Sequence, residues 1–169
     1  LPPLRIRLTS IELGRCSKLA THKDGDAWQC PGLRDFPVYF AEGDLRQMMA
    51  FGPRGSQRTS ATQTLGAFNT IFNGKRRPTI EWRVERMSNG RVVPFATIVR
   101  FHTSREGERG EVLVITKVNA AQSCRLAVID ARANGDAMGL ARKWALDNAR
   151  KLPCPDVPEV LGEKGVSPM

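Results

Sequence analysis

A chain of 169 residues suits one domain. Hydrophobic residues at 41% and charged residues at 25% permit a buried core and exclude wholesale disorder, and no apolar run approaches the roughly 18–20 residues of a membrane-spanning helix. Lys and Arg outnumber Asp and Glu by 26 to 17, a net charge of +9, so the long-range field favours acidic partners.

Residues 1–8 read as a Pro-led arm with a short alternating piece, Ile6 and Leu8 against Arg5 and Arg7. Ile11, Leu13 and the segment to Leu19 have strand character. The turn cluster His22-Lys23-Asp24-Gly25-Asp26 follows, and Trp28 opens the return toward Cys30. Residues 37–41 and 45–51 form a second strand pair around Glu42-Gly43-Asp44. After the breaker at 52–56, Ala61, Leu65, Phe68, Ile71 and Phe72 recur at helical spacing, which predicts an amphipathic helix ending near Asn73-Gly74.

The basic turn Lys75-Arg76-Arg77-Pro78 leads back into sheet. Ile80, Trp82 and Val84 alternate with Glu81, Arg83 and Glu85, the pattern of a half-buried strand. Residues 95–102, 112–118 and 125–130 continue as strands, separated by a charged tip at 105–110 and a polar turn at 119–123. Together these four predict an antiparallel meander, its middle strands apolar enough to be covered on both sides. Asn134 or Asp136 then caps a helix running to about Lys151, with Ala137, Leu140, Ala141, Trp144, Ala145 and Leu152 as its buried stripe and Pro153 as its stop. Residues 155–169, rich in Pro and Gly, read as a loose tail and a candidate second contact surface. The expected fold is α+β: an antiparallel sheet of about seven or eight strands with two helices, as a single domain over 1–154 followed by the tail.

Cys16, Cys30, Cys124 and Cys154 lack the C-x-x-C spacing of zinc or redox motifs, and an even count without metal spacing reads as two disulfides formed in an oxidising compartment. Of three pairings, Cys16–Cys30 with Cys124–Cys154 is preferred because each closes a local unit. On the chain-entropy model the two closures contribute roughly 3 and 3–4 kcal/mol. Four reduced thiols in a cytosolic protein are the alternative. The opening Leu1-Pro2-Pro3 in place of Met adds the expectation of an exported, periplasmic protein whose signal peptide has been removed.

Residues 45–80 contain no acid, yet carry Arg46, Arg54, Arg58, Lys75, Arg76 and Arg77. Nineteen of the 26 cations are Arg, whose planar fork suits carboxylates and phosphates. These six residues are the candidate partner-binding set, weighed against the plain alternative of a solvated face.

Catalytic and metal signals are weak. There is no G-x-S-x-G and no P-loop ending, and His22 and His102 are the two histidines. His102 beside Asp130 or Glu111 is conceivable, but a strand-end histidine is more often a packing residue. Glu81-Arg83-Glu85 reads as a charge ladder rather than an acid/base pair. No catalytic residue, metal ligand or cofactor is assigned, and no small-molecule ligand is expected. With 11 aromatics, several of them needed by a core, and no recognised module, nucleic acid is not expected either.

Thr9-Ser10-Ile11-Glu12-Leu13 with Cys16, Trp28-Gln29-Cys30-Pro31-Gly32, Thr79-Ile80-Glu81-Trp82-Arg83, and Ala127-Val128-Ile129-Asp130-Ala131 before the helix that ends at Cys154 resemble a group of exported alphaproteobacterial proteins. The resemblance covers roughly residues 9–154. It implies a signal peptide, a periplasmic address and paired cysteines, and brings no activity. The expected function is a non-catalytic accessory or binding module, possible as a subunit of a larger assembly, that contacts an acidic protein or an anionic envelope surface. The alternative is an enzyme on an anionic envelope substrate, with Asp44, Glu81 or Asp130 in unassigned roles.

Overall fold

A computed structural model describes residues 6–22 and 25–169. The arm at 1–5 and the turn residues Lys23 and Asp24 fall outside the described residues. Eleven strands make two sheets. The larger takes Ile6–Ser10 (β1), Thr79–Arg86 (β7), Val92–Arg105 (β8), Glu108–Val118 (β9), Ser123–Asp130 (β10) and Glu159–Leu161 (β11) in that spatial order, with Phe68–Thr70 (β6) also on β8. The smaller is antiparallel and runs in chain order through Ser17–His22 (β2), Gly25–Leu33 (β3), Phe36–Gly43 (β4) and Arg46–Phe51 (β5). A helix, Ala137–Asn148 (α1), packs on the larger sheet.

The larger sheet is covered on both faces, and its sequence shows why. On β7, Ile80, Trp82 and Val84 join Val38, Phe40 and Phe51 of the smaller sheet in one apolar cluster. Trp82 is fully buried and meets Phe51 edge to face at 5.3 Å, while its Nε1 donates to Thr9 Oγ1 at 2.8 Å. On the opposite face, Ile98, Leu113, Ile115 and Ile129 pack with Ala137, Ala141, Ala145 and Ala149, a four-residue spacing of small side chains that lets α1 lie close. Asp136 caps this helix by accepting the Gly139 N–H at 3.0 Å. At the other end, the buried Lys117 ammonium donates to the carbonyls of Ala149 at 2.9 Å and Arg150 at 3.0 Å, where the helix dipole favours a cation.

Both disulfides are formed, Cys16–Cys30 and Cys124–Cys154, and no described cysteine is free. The first ties the turn before β2 to β3; the second pins the segment after α1 to β10.

The α+β expectation is overturned. Of the described residues 51% are in sheet and 14% helical, 3-10 turns included, with one α-helix instead of two and two sheets instead of one. The missing helix is the one read over residues 61–73. Its apolar spacing is helical, but the side chains of Thr62, Thr64, Asn69 and Thr70 can bond the nearby backbone in place of a helix, and Gly66 loses the most backbone freedom in a helix interior. The segment becomes a single 3-10 turn at Thr59–Thr62 and then β6. Asn69 shows the competition at work: its Nδ2 donates to the carbonyl of Ala67, and its Oδ1 accepts the Gln47 N–H at 3.1 Å. The strand character read from Ile11 to Leu19 is likewise interrupted, by a 3-10 turn at Leu13–Arg15.

Residues 155–169 pack against the rest of the chain. β11 pairs in parallel with β10, which makes the larger sheet mixed. Asp130, fully buried at the end of β10, accepts the N–H groups of Val166 and Ser167 at 2.8 Å each. Burial alone would raise its carboxyl pKa, but these bonds, a hydrogen bond with the Ser167 side chain and the Arg132 N–H outweigh it and hold the pKa below the ordinary value. Gly110 permits the close approach, since a Cβ there would lie 2.3 Å from that of Ser167.

Candidate functional site

The six candidate cations fall into three situations. Arg58 is structural. Its Nε donates to the Pro53 carbonyl at 2.8 Å, and its two terminal nitrogens to the carbonyls of Asn119 and Ala120 at 2.9 and 2.7 Å, so it clamps the β9–β10 turn. Burial, and then the neighbouring Arg54, lower its pKa. Gly52, at φ +107°, leaves room for this guanidinium.

Arg46 is also engaged. It donates to the Gly66 carbonyl, pairs with Asp44 at 3.1 Å and stacks over Phe68 with 5.0 Å to the ring centroid. The remaining four sit on exposed turns. Arg54 holds the left-handed conformation at φ 52°, and Lys75, Arg76 and Arg77 follow one another before β7. Arg77 pairs with Glu12 at 2.7 Å; among the described residues Arg54, Lys75 and Arg76 have no acid within ion-pair distance.

These cations do not form one patch. Strand register puts Ile80 opposite Val99 and Lys117 opposite Ala96, so the 75–77 turn and the Arg58 clamp lie beyond opposite ends of that stretch of β8. At about 3.3 Å per residue the separation along the strand is on the order of 20 Å. Arg46 lies near the 75–77 end, because Phe68, on which it stacks, pairs with Ser104.

At that end a cleft of about 660 Å³ opens between the sheets, lined by Asp26, Leu45, Arg46, Phe68 and His102 among others. Its lip is the β4–β5 turn, where Asp44 and Leu45 both have positive φ, at 52° and 60°, in the arrangement of a two-residue type I′ turn. Leu45 is 71% exposed there, an unusual place for a bulky side chain. His102 faces Glu111 across β8 and β9. Burial lowers its pKa, Glu111 acts to raise it, and Arg100 and Arg132 lower it further. Glu111 is committed to Arg100 at 3.1 Å and Arg132 at 3.4 Å, and no hydrogen bond joins His102 to Ser104, so these groups do not form a nucleophile–base pair.

The three acids considered for catalysis are all held by structural partners and are not gathered in one place. Glu81 takes a bidentate grip from Arg142 at 2.9 and 2.8 Å and lies 3.6 Å from Arg83. Asp130 anchors residues 166–167, and Asp44 pairs with Arg46. Of the three, Asp44 alone lines the cleft. The expected ladder on β7 is thus a set of bonds to α1 and the residues just after it, with Arg142 on Glu81 and Arg150 on Glu85 at 2.9 Å. Among the described residues no group of three metal-ligating side chains is found.

One charged side chain escapes the sequence reading altogether. Arg125 on β10 is 3% exposed and stacks over Phe101 with 5.0 Å to the centroid. Desolvation pushes its pKa down to about 10. The available signal was a cation set inside an otherwise apolar strand. Two disulfides fit an oxidising, extracellular or periplasmic setting, and no helix of the described residues is long and apolar enough to cross a membrane. Comparison with protein-family models, with curated proteins and with solved structures finds no match.

Proposed function

We propose that the protein is a non-catalytic binding module of the bacterial periplasm that engages an acidic protein partner through its exposed basic turns. The observation that carries this is the Lys75-Arg76-Arg77 turn. Three consecutive cations project there, one acid answers them, and Lys75 and Arg76 remain exposed with no acid partner among the described residues. Arg54 offers a second, weaker contact at the opposite end, while Arg46 and Arg58 are occupied by backbone carbonyls of their own fold. A sheet pair stapled by two disulfides supplies the rigid frame on which such turns lose little freedom on binding.

The test is affinity capture from gently extracted envelope, with Lys75→Glu/Arg76→Glu beside the unaltered protein. A partner held by this turn is lost from the variant and eluted by moderate salt, because exposed charge pairs are screened. Equal capture by both proteins at every salt concentration would overturn the assignment. Capture of anionic lipid vesicles in place of a protein would redirect it to the membrane surface.

A further inference from the structure

Buried arginines normally have a carboxylate or a full set of acceptors, because an uncompensated buried charge is strongly destabilising. Arg125 has neither. Its Nη1 is fully shielded from solvent yet has no hydrogen-bond partner, and no acid among the described residues lies within ion-pair distance. Its guanidinium stacks on the Phe101 ring.

Beside it lies a pocket of about 380 Å³ between residues 62–66, β10 and Asp156. Leu65, Val128 and Phe101 belong to the cluster between the two sheets, so the pocket opens on the face of β10 that the Arg125 side chain occupies. A second donor is present. Gln63 Oε1 accepts the Arg125 N–H at 2.7 Å, which fixes the amide and leaves its Nε2 as the free donor, with no acceptor among the described residues.

We propose that this pocket binds a small monocarboxylate, its oxygens received by the Arg125 guanidinium and the Gln63 amide. A planar carboxylate matches the guanidinium fork and brings one charge to one charge. Leu65, Val128 and Pro158 provide apolar wall for a short organic body, and the volume lies at the lower end of the range for ligand sites. Asp156 on the same pocket opposes a second negative charge, which sets a carboxylate apart from sulfate or phosphate. This goes against the expectation from sequence that no small-molecule ligand binds, and it is independent of the basic turns.

The experiment follows the Arg125 side-chain Nε–H signal by NMR while sodium propionate is added, with sodium chloride and sodium sulfate as controls at matched ionic strength. A saturable shift with propionate alone is expected. Gln63→Glu keeps the acceptor for the Arg125 backbone N–H but replaces the amide donor of the pocket with a second carboxylate, so it should weaken propionate binding roughly tenfold or more. Arg125→Met should abolish the propionate-dependent rise in melting temperature. A response to propionate no different from chloride, equal saturation by sulfate, or unaltered binding in Gln63→Glu would each overturn the proposal, the last without depending on the folding of Arg125→Met.

Discussion

Two arginines are buried in the larger sheet, on opposite faces, and their surroundings differ sharply. Arg83 on β7, 5% exposed beneath α1, lies 3.6 Å from Glu81, which is itself gripped by Arg142. Arg125 on β10, 3% exposed toward the smaller sheet, has an aromatic ring against it and, among the described residues, no acid within ion-pair distance. The helix-facing side of the sheet therefore carries an ion-paired cluster, in which Glu81, Arg83, Arg142, Glu85 and Arg150 fasten α1 and the residues just after it. The other side carries one desolvated charge that the described residues leave unanswered. The first arrangement is what a chain needs to hold a helix in place; the second is what a chain needs to hold something it does not itself contain.

The comparison can be broken deliberately, and the largest effect should come from Glu81→Leu. That change would remove the carboxylate that Arg83 and Arg142 share and release Arg142, with an expected loss of about 3–5 kcal/mol in denaturant unfolding. A loss under about 1 kcal/mol would mean that the ion-pair unit contributes little. Replacing Cys124 and Cys154 by Ser removes the staple on the same face. Its loop of 30 residues predicts a loss of roughly 3–4 kcal/mol by calorimetry, with the smaller sheet unaffected.

A smaller effect, about 1–3 kcal/mol at neutral pH, is expected for Asp130→Asn, since Asp130 holds residues 166–167 in place. The pH dependence has a definite sign. The folded pKa of Asp130 is lower than its unfolded value, so its contribution is present above about pH 4 and is lost as pH falls through the folded pKa. Acid titration of stability should therefore be shallower in Asp130→Asn than in the unaltered protein. Identical profiles would remove Asp130 from the account of acid sensitivity.

The parts of the molecule that were legible in sequence are those set by local pattern. Alternation marked β7, the apolar runs marked β8 and β9, and the Ala-rich stripe with an Asp136 cap marked α1. Local closure gave the right cysteine pairing. The helix over residues 61–73 was misread because apolar spacing was weighed above the Thr, Asn and Gly content, which decides the outcome where side chains can bond the backbone. β11 was missed because a three-residue parallel strand owes its existence to Asp130 and Asn134, some thirty residues away, where Asn134 Nδ2 donates to the Glu163 carbonyl and its Oδ1 accepts the Glu163 N–H.

The basic segment was visible as charge, but its internal division was not. That Arg58 clamps a turn sixty residues away and Arg46 stacks on Phe68 depends on tertiary contacts that carry no local signature. The isolation of Arg125 is of the same kind. An arginine in an apolar strand can be noticed in sequence, whereas the absence of a partner is a property of the whole fold.

The most direct test of this contrast is urea unfolding of Arg125→Met without added carboxylate. Met retains the apolar volume over Phe101 and removes the unanswered charge, so the midpoint should equal or exceed that of the unaltered protein, with the same slope. A loss of about 2 kcal/mol or more would show that Arg125 is stabilised within the fold as it stands, and that nothing external is needed to account for it.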